Sequence, residues 1–94
     1  MLSMTTEQDE ALEIDSADVG GLDLEGGTVP YIDLNGYPTP HAKLRAGGTE
    51  YAYERSFPIA GHSALMPGAV AELEAAGKRV LIAERSERYY VYVA

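Results

Sequence analysis

The sequence predicts an α+β fold: a small antiparallel sheet of three to five strands, one packed α-helix and a C-terminal β-hairpin. Three observations carry this expectation. Residues 69–76 are nearly all strong helix formers, entered through Pro67 and left through Gly77. Two runs of β-formers, 79–84 and 88–93, flank a short polar turn at Ser86 and Glu87. Two further runs, 28–34 and 49–55, stand upstream of the helix.

Taken in order, the run 28–34 contains Pro30, which cannot donate to a ladder and so favours an edge or a bulge. Asn35 and Gly36 signal a turn, but Pro38 and Pro40 follow at once, so residues 37–48 read as a structured loop with extended pieces. In 49–55, Tyr51 and Tyr53 share one face while Glu50, Ala52 and Glu54 share the other, and Pro58 and Gly61 close the strand. The helix offers a narrow apolar face of Val70 and Leu73, helped by Ala69 and Ala76. Lys78 and Arg79 follow it, where positive charge complements the helix dipole. The last two strands are expected to pair as an antiparallel hairpin near the middle of the sheet.

Charge divides the chain sharply. Residues 1–26 hold 8 acids and no Lys or Arg, while the remainder holds 7 acids and 7 bases, so the whole net charge of −8 sits in the first quarter. Leu12, Ile14, Val19, Leu22 and Leu24 are sparse among those acids, and Gly20, Gly21, Gly26 and Gly27 punctuate them. Residues 1–26 therefore read as an acidic, largely disordered leader, and residues 27–94 as the compact domain. A docking role for the leader, anchored by Leu12 and Ile14, is the functional alternative. An acidic chain with no basic stripe is not expected to bind nucleic acid, where affinity comes from phosphate neutralisation. No apolar stretch approaches the roughly 20 residues of a membrane helix, and the N-terminus lacks the basic and apolar regions of a signal peptide. With no cysteine there is no disulfide or thiolate chemistry, and a cytoplasmic location is the simplest expectation.

Candidate chemistry is thin. Gly61, His62, Ser63, Ala64 and Leu65 imitate the nucleophile elbow of α/β-hydrolases, but Leu65 stands where glycine is needed and no His or Asp follows Ser63. His41 and His62 match no compact metal-ligand spacing. Glu50 and Glu54 share a strand face, where carboxylates are usually solvated and balanced, here by Arg55, Arg85 or Arg88. Gly47 and Gly48 lack the helix and lysine of a phosphate loop. No catalytic residue, metal or cofactor is expected.

Tyrosine is the distinctive component: seven, against one Phe and no Trp. Tyr90 and Tyr92 share one face of the last strand, Tyr89 the other. A lone helix can shield only one face, which leaves Tyr51, Tyr53, Tyr90 and Tyr92 as an expected interaction surface. A core this small gains from further burial, so self-association, as a homodimer, is the economical form of that expectation.

Residues 70–85, with helix formers from Val70 to Ala76, then Gly77, Lys78, Arg79, the run Val80, Leu81, Ile82, Ala83, and another strand beyond, resemble the helix, Ala-Gly turn and hairpin of Phd/YefM-type antitoxins. The resemblance implies a helix–turn–hairpin unit and a regulatory protein that binds a toxin or operator DNA. The expected function is thus a non-enzymatic protein–protein interaction or accessory subunit, with an antitoxin-like regulator or a small-ligand-binding domain using Tyr51, Tyr53 and the Pro38–His41 loop as alternatives.

Overall fold

The computed structural model describes residues 11–24, 27–35, 42–62 and 65–94; for residues 61 and 62 it describes the backbone alone. Seven strands form one sheet: β1 (Leu12–Ile14), β2 (Gly20–Leu24), β3 (Gly27–Asp33), β4 (Lys43–Ala46), β5 (Thr49–Pro58), β6 (Val80–Arg85) and β7 (Arg88–Val93). Their order is β1-β4-β5-β7-β6-β3-β2. A ten-residue helix, α1 (Met66–Ala75), follows a single helical turn at Ile59–His62. No helix among the described residues is long and apolar enough to cross a membrane.

This corrects the expected small antiparallel sheet of three to five strands. The sheet is larger, and it is mixed, because β1 pairs parallel to β4 and β3 parallel to β6. Three strands were not foreseen. β4 forms inside the segment read as a loop, and β1 and β2 form among residues read as leader. Periodicity is uninformative there because β1 and β4 span only 3 and 4 residues, and β2 opens with two glycines. Pairing partners, not local propensity, make these segments strands.

Elements with strong local signals lie close to their expected bounds. At the end of α1, Gly77 adopts φ +87°, its N–H bonds the Glu74 carbonyl at 3.0 Å, and Lys78 N–H reaches back to the Leu73 carbonyl at 3.1 Å. This is the left-handed glycine cap in which orphan carbonyls regain donors. β6 and β7 form an antiparallel hairpin through Ser86 (φ 53°) and Glu87 (φ 63°), two left-handed residues as a two-residue turn requires.

The edges of the sheet are joined in sequence. β1 and β2 stand at opposite ends of the order, yet only residues 15–19 connect them. Seven strands laid flat at the usual spacing would separate the outer two by about 29 Å. The connection reaches about 20 Å at full extension, and less here because Ser16–Asp18 coil into a 3-10 turn. The sheet must therefore curl.

Its inner face carries one core, formed by Ile14, Ile32, Leu34, Leu44, Tyr51, Leu81, Ala83 and Tyr92. Ile14 of β1 and Ile32 of β3 belong to this cluster although four strands lie between theirs in the sheet, as curling demands. The outer face carries a second core in which Met66 and Val70 of α1 cover Val29, Val80, Ile82 and Val91. Both faces are thus closed, one by the helix and one by the sheet itself.

Candidate interaction surface

The six residues expected to form the interaction surface do converge. Tyr51, Ile14 and Tyr92 are members of the inner core, and Leu12 and Tyr90 pack against it. Tyr53 stands beside them, edge-to-face with Tyr90 and Tyr92 at centroid distances of 6.1 and 5.9 Å. The cause is the strand period: alternate residues of β5 and β7 point inward, and the Tyr53↔Tyr92 register brings their rings together. The face is concave, however, so most of this aromatic surface is interior. Tyr92 is 1% exposed and Ile14 4%, while Tyr53 remains 48% exposed.

Burial is the main reason the Tyr92 hydroxyl is pushed up to about 12, with the neighbouring Tyr90 and Tyr53 hydroxyls adding to it. On the outer face, the Tyr31 hydroxyl donates to Glu84 Oε1 at 2.5 Å, and burial followed by that bond raises its pKa as well. An unfolded tyrosine releases its proton near pH 10, before the folded one does. Folded-state stability should accordingly be unaffected below about pH 10 and fall as pH rises towards about 12, because the unfolded chain binds fewer protons throughout that window. Denaturant midpoints measured at intervals between neutral pH and pH 12 check this. A midpoint that is flat across the window contradicts the burial assigned to Tyr92.

The remaining polar candidates take ordinary places. Glu50 is met by Arg45 at 3.2 Å and Lys43 at 3.8 Å, and Glu54 by its neighbour Arg55 at 3.2 Å, all with exposed side chains. Such pairs are worth little and hold no unusual chemistry. A bulge between Tyr53 and Arg55 breaks the alternation that would have kept Glu50 and Glu54 in register. Arg88, expected to balance these acids, instead donates to Ser56 Oγ at 2.9 Å. His41, Tyr37, Ser63 and the side chain of His62 lie outside the described residues. Among the described residues no group of three or more acids and histidines could hold a metal ion.

The β2 edge has only a short sequence signal. Among the described residues β2 is an edge strand paired on one side, antiparallel to β3, with Leu24↔Gly27 the last register pair of that hairpin. A closing pair across a two-residue turn exchanges both hydrogen bonds, so the alternating ladder turns Leu24, Leu22 and Gly20 towards β3. The backbone groups of Gly21 and Asp23 therefore point outward. A groove of about 400 Å³ lies beside this edge, between the β2–β3 hairpin and α1, walled by Leu24, Val29, Pro67, Val70, Ala71 and Glu74. The available signal was the alternation Leu22, Asp23, Leu24 ahead of Glu25-Gly26, which reads as a hairpin once the glycines are taken as turn rather than linker.

No protein-family model, curated protein or solved structure matches this chain. The helix–turn–hairpin that resembles Phd/YefM-type antitoxins is present as α1, Gly77, β6 and β7, but it is embedded in a seven-stranded sheet. The described residues form a curled mixed sheet flanked by α1, with β1 and β2 at its two edges.

Proposed function

We propose that this chain is a non-enzymatic interaction module, an accessory subunit that engages a protein by accepting a strand at β2. The observation that carries the reading is the outward backbone of Gly21 and Asp23 on an edge strand. Natural sheets usually blunt such an edge with charged side chains, proline or a bulge, and of these the residues Gly20, Gly21, Leu22, Asp23 and Leu24 supply one charge, at Asp23. An added strand gains main-chain hydrogen bonds there at no cost to the existing ladder.

A second reading keeps the self-association expected of the tyrosine surface. It is favoured by Tyr53, a half-exposed ring braced at near right angles by Tyr90 and Tyr92. A rigid aromatic anchor of this kind is typical of binding hot spots.

Amide NMR of the full chain, titrated with short strand-forming peptides, separates the two. Strand addition at β2 should shift the Gly21 and Asp23 amide signals first and protect them from hydrogen exchange. Peptides that bind while these two amides stay still overturn the first reading. A concentration-dependent dimer that Tyr53→Ala abolishes establishes the second.

A further inference from the structure

We infer that the strand accepted at β2 is β2 of a second copy of this chain, the two running antiparallel about a two-fold axis at Leu22 so that their sheets join edge to edge. The inference rests on the strand-addition reading and names its partner. Gly21 stands opposite Pro30 in the β2–β3 ladder, and proline has no N–H to donate across it. The alternation of the ladder therefore leaves the main-chain groups of Gly21, and of Asp23 two residues on, to the outer side of β2.

The residues of β2 match their own reverse. They run Gly20, Gly21, Leu22, Asp23, Leu24. With the axis at Leu22, Gly21 faces Asp23 of the partner subunit and Gly20 faces Leu24 of the partner subunit. Each Gly21–Asp23 pair then exchanges both of its main-chain bonds. Leu24 and Asp23 each meet bare glycine backbone, and no carboxylate stands opposite another. Leu22 meets Leu22 of the partner subunit on the helix-side face, where Leu22 and Leu24 already pack against the outer core. Asp23 keeps its bond from the Thr28 hydroxyl, at 2.8 Å. Other two-fold registers are poorer. An axis at Asp23 sets two carboxylates directly opposite, which is destabilising, and an axis at Gly21 leaves Asp23 facing Val19, outside the strand. The groove separates α1 from this hairpin, and paired strands point opposed side chains to the same face, so the two grooves open on one side of the joint sheet and flank the leucine pair. A contact of 5 residues a side is small and belongs with reversible associations. The net charge of −8 on each copy opposes it, so added salt should tighten it.

The register supplies the test, because the chain has no cysteine. In Leu22→Cys the two thiols face each other across the axis, in a pair whose Cα separation of about 4.5 Å lies within disulfide range. In Leu24→Cys, on the same face, they are displaced by about 13 Å along the strands and cannot join. Under mild oxidation the full-length Leu22→Cys protein should become chiefly a covalent dimer and Leu24→Cys should stay monomeric. Equal cross-linking of the two, or none in a folded Leu22→Cys, overturns the pairing. The unaltered chain gives a second measurement. Its sedimentation mass should rise towards twice the monomer's with concentration, in Tyr53→Ala as well, while the Gly21 and Asp23 amides become protected from exchange. A dimer that leaves those amides unprotected, or that Tyr53→Ala abolishes, overturns the inference even where Leu22→Cys does not fold. A chain that stays monomeric up to about 1 mM, yet whose Gly21 and Asp23 amides shift on adding a short Val/Thr peptide, overturns self-pairing and leaves strand addition standing. Amides that respond neither to concentration nor to the peptide overturn both.

Discussion

Removing residues 1–26 is expected to unfold this protein, where a solvated leader could be cut away without effect. The truncation takes out β1 and β2, two of seven strands, and with them Ile14 from the inner core and the cover that Leu22 and Leu24 give the outer one. Leu44 and Val29, both buried, would become edge-strand residues facing water. Small domains hold only about 5–15 kcal/mol in total, and Ile14→Ala alone should cost about 2–4 kcal/mol through lost burial and the cavity left behind. Glu13→Ala is the control. Glu13 pairs with Arg45, but both side chains are largely exposed, so that loss should stay below about 1 kcal/mol. Thermal unfolding followed by near-ultraviolet circular dichroism distinguishes the cases. A 27–94 fragment melting cooperatively within a few degrees of the full chain would return β1 and β2 to the status of an appendage.

The second large effect concerns the tyrosines, which should divide by burial and not by position in sequence. Tyr92→Ala is expected to cost about 3–5 kcal/mol, the range for emptying a buried aromatic site, because Tyr92 is among the largest fully buried side chains and belongs to the inner core. Tyr53→Ala should cost about 1–2 kcal/mol, chiefly two edge-to-face contacts and half a ring of burial. The two residues are register partners on adjacent strands, so their unequal response reports the curvature of the sheet directly. Chemical denaturation of the two variants measures it. Equal losses would mean that the inner face is not closed as described.

The elements with strong local grammar could be read from the residues. Pro67 and Gly77 bracket α1, the β6–β7 turn is announced by Ser86 and Glu87, and the alternation of Tyr51 and Tyr53 marks β5. Even the convergence of Tyr51, Tyr53, Tyr90, Tyr92, Leu12 and Ile14 follows from the period of two, once β1 is granted. Curvature could not be read. Whether a face is a surface or an interior depends on how far the sheet bends, and that is set by the five-residue connection between its two edges. One helix leaves one face bare only where the sheet is flat. Met66 carries no local signal either: it precedes Pro67, the expected start of the helix, yet it is buried in the outer core.

The two parallel joints have a kinetic consequence. β2–β3, β4–β5 and β6–β7 are neighbours in the chain and can zip locally, whereas the β3–β6 joint links Tyr31 to Ile82 and the β1–β4 joint links Leu12 to Leu44. Such distant partners must pay loop-closure entropy before any contact rewards them, which slows folding. Three hairpins forming early and three long-range seams closing late, the third being the antiparallel β5–β7 pairing, is the order this connectivity imposes. Until the last seam shuts, the tyrosine-lined interior is open to water and to other chains.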